Sequence, residues 1–314
     1  MFDEPVDKDD GIYTLEKLRM QLKEEEVVRP SQWGAIGARI FKSFSVTHTE
    51  MPAGCYSVTL DKNDDRSIFI GKYLKNDDII DFKDGLAVKL LEEIDNFWSK
   101  GNEFKKHGFL HRRGYMLYGS QGVGKSSIVS LITKDIIKRG GVVLICDNPR
   151  FFIEGLKTFR QVEANRPLVC VFEDIDAIIK KYGDKEILSI LDGDSQVDKV
   201  INIATTNYPE LLNRRIVNRP RRFDRIYKIE VPSDSIREQF LKTKLPKDQN
   251  LKRWMKLTKG LSFAALTETL ISVICLDNKL EDVTKILEEL ENGHIKSSDF
   301  SSTNLGFSVE EAEE

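Results

Sequence analysis

The sequence predicts an α/β fold: a parallel sheet interleaved with helices, preceded by a small α+β module and followed by an all-helical unit. Three observations carry this. Strand-length apolar runs recur at "GYMLYG" (114–119), "GVVLIC" (141–146), "LVCVF" (168–172), "VINIATT" (200–206) and "YKIEV" (227–231). Most are continuously apolar, as strands buried on both faces of a sheet are. Helical segments separate them, which makes the sheet parallel. After Pro232 every remaining periodic segment is helical.

In chain order, residues 1–75 read as a separate α+β module. Leu15, Leu18 and Leu22 form one stripe of a helix. Ser31 is placed to cap a second helix carrying Trp33, Ile36 and Ile40. The runs "KSFSVTHTEM", "CYSVTL" and "SIFIGKYL" read as strands, the last two joined as a hairpin by the polar "DKNDDR". Residues 76–231 hold the alternating strands and helices. Residues 232–293 hold four helices: one from Ile236 and Phe240, one around Trp254 and Met255, one with Leu266, Leu270 and Val273 behind a Ser262 cap, and one with Val283, Ile286, Leu287 and Leu290 closed by Gly293. Residues 294–314 form a polar, acidic tail, expected to be mobile.

The length of 314 residues suggests about two domains. Hydrophobic residues make up 40% of the chain, enough for real cores, and the net charge of −3 gives no global basic field that would attract nucleic acid. No apolar run approaches the roughly 20 residues of a membrane span. The acidic start "MFDEPVDKDDG" lacks the shape of a signal peptide. The expectation is a soluble, cytoplasmic protein without a membrane partner. Cys55, Cys146, Cys170 and Cys275 are widely spaced and read as free thiols in a reducing compartment. His107 and His111 have the spacing of a shared helix face, but Gly108 and the following strand argue against a helical metal site.

Function enters with "GYMLYGSQGVGKSS". Gly119-Ser120-Gln121-Gly122-Val123-Gly124-Lys125-Ser126 matches G-x-x-x-x-G-K-[ST] between a strand and an amphipathic helix, and Ser127 follows. Glycines let backbone N–H groups surround phosphate oxygens, and the helix N-terminus adds positive potential. Lys125 is suited to the β- and γ-phosphates and the Ser126 hydroxyl to Mg²⁺. "LVCVFEDIDAI" supplies Glu173, Asp174 and Asp176 at the C-terminal end of a buried strand, where open α/β sheets bind ligands. The next strand ends at Asn207, an amide placed to position a water near the γ-phosphate. "NRRIVNRPRRFDR" then puts six arginines within residues 213–225. That loop reads three ways: a solvated basic loop, arginine fingers acting on a neighbouring subunit, or a nucleic-acid patch.

Taken together these stretches resemble the AAA family of AAA+ ATPases. "HRRGYMLYGSQGVGKSS" is similar to its first strand and Walker A motif, and "VFEDIDAI" to Walker B. "ATTNYPELLNRRIVNRPRRFDR" is similar to sensor 1 with the second region of homology, and "GLSFAAL" to the signature of its lid helix. The resemblance covers about residues 76–275. It implies an αβα nucleotide-binding domain with a helical lid, ATP and Mg²⁺ as cofactors, and a homo-oligomeric ring with ATP between neighbours. By position, Asn207 becomes sensor 1, and Arg219 and Arg222 become the fingers, with Arg221 replacing the family's glycine. Walker B is written Glu173-Asp174 rather than Asp-Glu. By position Glu173 holds Mg²⁺, directly or through water, and Asp174 orients the attacking water. This swap, with "RRGYMLYG" and "GKSS", resembles the branch containing the mitochondrial Rieske-protein translocase, which implies rings of six or seven. Phe151 and Phe152 stand where unfoldases carry pore aromatics, and helix packing is the competing reading.

The leading expectation is an ATP-driven remodeller or translocase of a macromolecular substrate, a protein rather than nucleic acid, with residues 1–75 recruiting a substrate or adaptor or aiding assembly. A DNA- or RNA-associated loader or regulator is the alternative, and a nucleotide switch or P-loop kinase is a third class.

Overall fold

The computed structural model describes residues 32–36, 39–43, 48, 50–61, 66–72, 85–217 and 219–291. The stripe of Leu15, Leu18 and Leu22 and the tail 294–314 lie outside these residues. The described elements run β1 (Gln32–Ile36), β2 (Arg39–Ser43), β3 (Gly54–Leu60), β4 (Ser67–Gly71), α1 (Leu86–Ser99), α2 (Gly101–Lys106), β5 (Arg112–Tyr118), α3 (Lys125–Lys138) and β6 (Val142–Ile145). They continue with α4 (Pro149–Val162), β7 (Leu168–Phe172), α5 (Ile175–Tyr182), α6 (Lys185–Asp192), β8 (Val200–Thr206), α7 (Arg214–Val217) and β9 (Arg225–Lys228). Then come α8 (Asp234–Lys244), α9 (Leu251–Leu257), α10 (Phe263–Leu270), a π-helical turn (Ile271–Cys275) and α11 (Leu280–Glu291).

The chain divides into two compact units, one of residues up to 120 with 125–229, the other of 121–124 with 230–291 and the residues beyond. The first unit is built on a seven-stranded sheet of order β4-β3-β6-β7-β8-β5-β9. All its pairings are parallel except β3–β4. Every residue of β7 and β8 is buried, which accounts for the unbroken apolar sequence of β7 and the mostly apolar one of β8. The core gathers Met116, Leu144, Phe172, Ile187, Leu191 and Ala204 around these central strands.

Two expectations for the N-terminal region change. Trp33 and Ile36 lie in β1 and Ile40 in β2, an antiparallel hairpin rather than a capped helix. The β-branched and aromatic content of "QWGAI" and "RIFKS" satisfies a strand as well as a helical stripe, and the tight connection favours the hairpin. The separate module at 1–75 is also revised. The expected β3–β4 hairpin forms, with Tyr56 opposite Gly71 and Leu60 opposite Ser67, but β3 also pairs in parallel with β6. Residues 54–71 therefore extend the main sheet. "CYSVTL" is buried through its first four residues because a helix covers it.

That helix is α4. Asn148 caps it by accepting a hydrogen bond from the Arg150 N–H at 3.1 Å, and Pro149 occupies the first helical position. Phe152 is 1% exposed and meets Phe172 edge-to-face at 5.5 Å between centroids. It is a core residue, not a pore aromatic. Gly155 has a packing reason as well: a Cβ there would lie 2.5 Å from Val58 Cγ2, so its absence lets α4 approach β3.

His111 is buried, stacked on Phe97 at 4.1 Å, with its Nε2 2.8 Å from the Phe97 carbonyl oxygen. α2 ends before His107, and no group of metal-ligating side chains occurs among the described residues. No described helix is long and apolar enough to cross a membrane.

The second unit is helical after Pro232. Side-chain caps start three of its helices: Ser233 accepts from Ile236 N–H, Asn250 from Arg253 N–H, and Ser262 from Ala265 N–H. Trp254 is 1% exposed, and Phe240 meets Phe263 edge-to-face.

Two measurements check this packing. Gly155→Ala should lower stability by about 1–3 kcal/mol through overpacking against Val58, and Val58→Ala in the same chain should recover part of the loss in a denaturant titration. Burial pushes the thiols of Cys55 and Cys170 up to about 12 and that of Cys146 well above its ordinary value, whereas Cys275 is exposed. A thiol-alkylating reagent at neutral pH should label Cys275 first and the other three only on unfolding, read by peptide mass.

Candidate nucleotide site

The register of the parallel strands sets the site. Tyr118 of β5 pairs with Thr206 of β8, and Phe172 of β7 pairs with Ala204. The residues that follow, Gly119, Glu173 and Asn207, therefore leave the sheet at one edge, the C-terminal one. The Gly119 N–H donates to the Thr206 carbonyl at 3.4 Å, tying the start of the glycine-rich loop to the end of β8.

Lys125 opens α3 and is 6% exposed. Its ammonium donates to the carbonyls of Gly119 at 2.8 Å and Ser120 at 2.6 Å. Burial holds its pKa below the ordinary lysine value, while Asp174 and Asp176 act in the opposite direction. Among the described residues no carboxylate forms an ion pair with it. A buried cation with only carbonyl acceptors is a poor arrangement alone and a good one for a polyanion.

The Ser126 hydroxyl hydrogen-bonds the Glu173 carboxylate, and burial is the larger influence, raising the Glu173 pKa despite that bond. A hydroxyl and a half-buried carboxylate side by side are the hard oxygen donors that Mg²⁺ takes. Asp174 has left-handed backbone, φ +46° and ψ +55°, which Asp and Asn tolerate better than other side chains. Its N–H donates to Thr205 Oγ1 at 3.0 Å, and the Asn207 amide donates to its Oδ1 at 3.3 Å. Thr206 Oγ1 donates to Asp176 at 2.6 Å and accepts from the Tyr208 N–H at 3.0 Å. Both threonines are buried. Their hydroxyls at the end of a fully buried strand are the signal that points to them, and sequence reasoning stopped at Asn207.

Gln121, Gly122, Val123 and Gly124 group with the second unit. Gly122 and Gly124 have φ of +75° and +97°, which accounts for glycine at both. Within that unit the Gly122 carbonyl accepts from the Ala264 N–H at 3.0 Å, and a Cβ at Gly122 would lie 2.8 Å from the Ala264 Cβ. Ser127 is exposed on the first turn of α3.

The two arginines expected to act alike differ in burial and partners. Arg222 is 4% exposed and grips Asp192 with two bonds, Nε to Oδ2 at 2.8 Å and Nη2 to Oδ1 at 3.0 Å, while Nη1 donates to the Arg215 carbonyl. Its guanidinium is buried against Asp192 rather than held in solvent, as the finger expectation would have it. Arg219 has a side chain 64% exposed with one loose contact to Asp192 at 3.4 Å. The loop is fixed further by Gly114: its N–H donates to Asp224 at 2.9 Å, its carbonyl accepts from the Asp224 N–H at 2.8 Å, and a Cβ there would fall 2.0 Å from the Arg222 carbonyl oxygen. Arg221, at the position of the family's glycine, keeps the glycine-like backbone with φ +72°, a conformation costing about 1–2 kcal/mol for such a side chain.

Comparison with known proteins agrees with this geometry. Residues 115–231 match the model of the ATPase family associated with various cellular activities (AAA). The ATP-dependent zinc metalloprotease FtsH of Aster yellows witches'-broom phytoplasma is 28% identical over 242 residues, 66% of this chain and 35% of the relative. The proteasome-activating nucleotidase of Aeropyrum pernix is 28% identical over 225 residues, 60% of this chain and 54% of the relative. That of Methanococcus maripaludis is 33% identical over 171 residues, 48% of this chain and 40% of the relative. The chain thus spans between about a third and a half of the length of these relatives. The stretch 115–231, which carries the acidic end of β7 and Asn207 at the C-terminal edge of its parallel strands, is thus similar to an AAA ATPase domain.

Proposed function

We propose that this chain hydrolyses Mg·ATP at the edge formed by Lys125, Ser126, Glu173, Asp174 and Asn207, and that it does so as a ring of six or seven copies acting on a protein substrate. The buried ammonium of Lys125, held by loop carbonyls with no ion pair among the described residues, is the observation that carries the nucleotide reading. Mg·ATP, when bound, supplies the phosphoryl group and the metal's charge neutralisation. The chain's own groups do the rest. The backbone N–H groups of Gly122, Val123 and Gly124 hold phosphate oxygens, and Lys125 exchanges its loop carbonyls for the β- and γ-phosphates. Ser126 and Glu173 hold the metal. Asp174 orients a water for in-line attack with the Asn207 amide, which already bonds it, fixing the carboxylate's direction.

Arg219 is the residue we assign to the neighbouring subunit's γ-phosphate, because its guanidinium is exposed and held by a single loose contact. Arg222 positions the loop that presents it. The relatives support the substrate class: one is named for proteolysis and the other for activating the proteasome. The Glu173–Asp174 order supports kinship with the Rieske-translocase branch, from which the ATPase core is carried over and the substrate is not.

Lys125→Ala should abolish ATP binding in an equilibrium assay while circular dichroism stays unchanged; retained binding would sink the nucleotide reading. Asp174→Asn, whose new side chain also accepts left-handed backbone, should bind Mg·ATP and hydrolyse it slowly. Glu173→Gln should instead weaken the metal dependence, and the reverse pattern would exchange their roles.

The arginines separate by two readouts. Arg219→Ala should keep its melting temperature and lose turnover on the order of 10³-fold or more. Arg222→Ala leaves Asp192 without its buried partner and should lower stability by about 3 kcal/mol. Mixing Lys125→Ala with Arg219→Ala subunits should restore part of the lost turnover, since some interfaces then join an intact pocket to an intact guanidinium. No recovery in verified mixed rings would place Arg219's action within its own subunit.

A further inference from the structure

At the opposite end of β5 from the nucleotide site lies a cavity of about 240 Å³, lined by Phe104, Phe109, Leu110, Arg112, Arg113, Arg221 and Asp224. Six residue steps of strand put the two sites about 20 Å apart along β5. Three guanidinium groups meet one carboxylate here, and that carboxylate is engaged: Asp224 accepts the Gly114 N–H at 2.9 Å. Arg112 is 9% exposed. Its Nη1 donates to the Leu191 carbonyl, and its buried Nε has no partner. Burial, and then the facing Arg221, hold its pKa below the ordinary arginine value, while Asp224 and Asp192 act in the opposite direction. Arg113 hydrogen-bonds Tyr115. Arg221 is exposed in strained left-handed backbone, so the loop carries a cation where a glycine would sit without strain. On the rim, Phe109 is 59% and Leu110 39% exposed, an apolar pair beside the excess positive charge.

We propose that this cavity docks an acidic peptide segment of a partner protein, one large apolar side chain entering against Phe104, Phe109 and Leu110 while flanking carboxylates meet Arg112, Arg113 and Arg221. Charge complementarity names the carboxylates: three guanidinium groups face the single lining carboxylate of Asp224, and a buried guanidinium with an unused donor gains from a further anion. The volume names the apolar part. It falls below the roughly 300–1,000 Å³ of a small-molecule site and fits a single side chain, with the rest of the ligand lying on the surface. The exposed phenylalanine on the rim is the kind of apolar surface that a partner segment covers.

The test is fluorescence anisotropy on the full chain without nucleotide, so that its outcome is independent of the ATPase reading. The probe is a labelled nonapeptide with a central Phe flanked by four Glu on each side. Saturable binding is expected. It should weaken about tenfold when the Phe is replaced by Ala, and disappear when the Glu are replaced by Lys. Arg221→Gly should fold normally, because glycine suits φ +72°, and should weaken binding about tenfold. Phe109→Ala, a change at an exposed position, should do the same. Four results would overturn the proposal: no saturable binding; equal binding of the Glu and Lys peptides; undiminished binding by both variants; or a labelled oligonucleotide that displaces the peptide and itself binds less well to Arg221→Gly, which would assign the cavity to a phosphate backbone. Self-association that covers the cavity, seen as a lower sedimentation coefficient for Arg221→Gly when the peptide does not bind, would assign it to a second copy instead.

Discussion

The parallel register of β5, β7 and β8 is the constraint on which the rest depends. Parallel hydrogen bonding fixes which residues leave the sheet together, and a one-residue slip would turn every side chain to the other face. With Tyr118 opposite Thr206 and Phe172 opposite Ala204, Gly119 at the start of the glycine-rich loop, the Glu173–Asp174 pair and Asn207 emerge side by side from segments as much as 88 residues apart in sequence. The apolar strands that hold this register are buried on both faces, so hydrophobic burial stabilises the framework. The polar groups at its edge are left to chemistry.

Electrostatics divides the arginines of the 213–225 loop by the same rule. A guanidinium taken out of water needs a carboxylate with matching geometry, and Asp192 gives Arg222 two parallel bonds. Having satisfied Arg222, Asp192 offers Arg219 only a 3.4 Å contact, and Arg219 stays in solvent. Sequence spacing makes the two equivalent, and burial makes one an anchor and leaves the other an exposed, loosely held cation. Gly114 underlies this arrangement, because any side chain there would collide with the Arg222 carbonyl and lift the loop off β5.

The sheet strands, the loop glycines and the acidic strand end were legible in the sequence because each has a local cause: continuous hydrophobicity, positive φ, or a carboxylate pair after an apolar run. The hairpin of "CYSVTL" with "SIFIGKYL" was legible from its polar turn. What was not legible has non-local causes. Nothing in "CYSVTL" says that its free edge meets β6, 82 or more residues away in sequence, so the boundary drawn at residue 75 cut through the sheet. For Phe152 a pore aromatic and a helix-packing residue were both open readings until α4 is seen lying on β3. The roles of Thr205, Thr206 and Asp192 depend on which side chains face them. In the hairpin of β1 and β2, both helix and strand satisfy the same apolar residues, and pairing decides.

The pairing of β3 with β6 bears on how this protein can be shortened. A fragment begun at residue 76, the natural choice from composition, would discard two strands of the seven-stranded sheet, β3 and β4, and leave β6 as its new border. Val142, Val143 and Leu144, fully covered at present, would then present unpaired N–H and C=O groups beside apolar side chains. That is the flat, sticky border through which sheets join end to end into aggregates. A catalytic fragment intended for solution work has to begin ahead of Gly54.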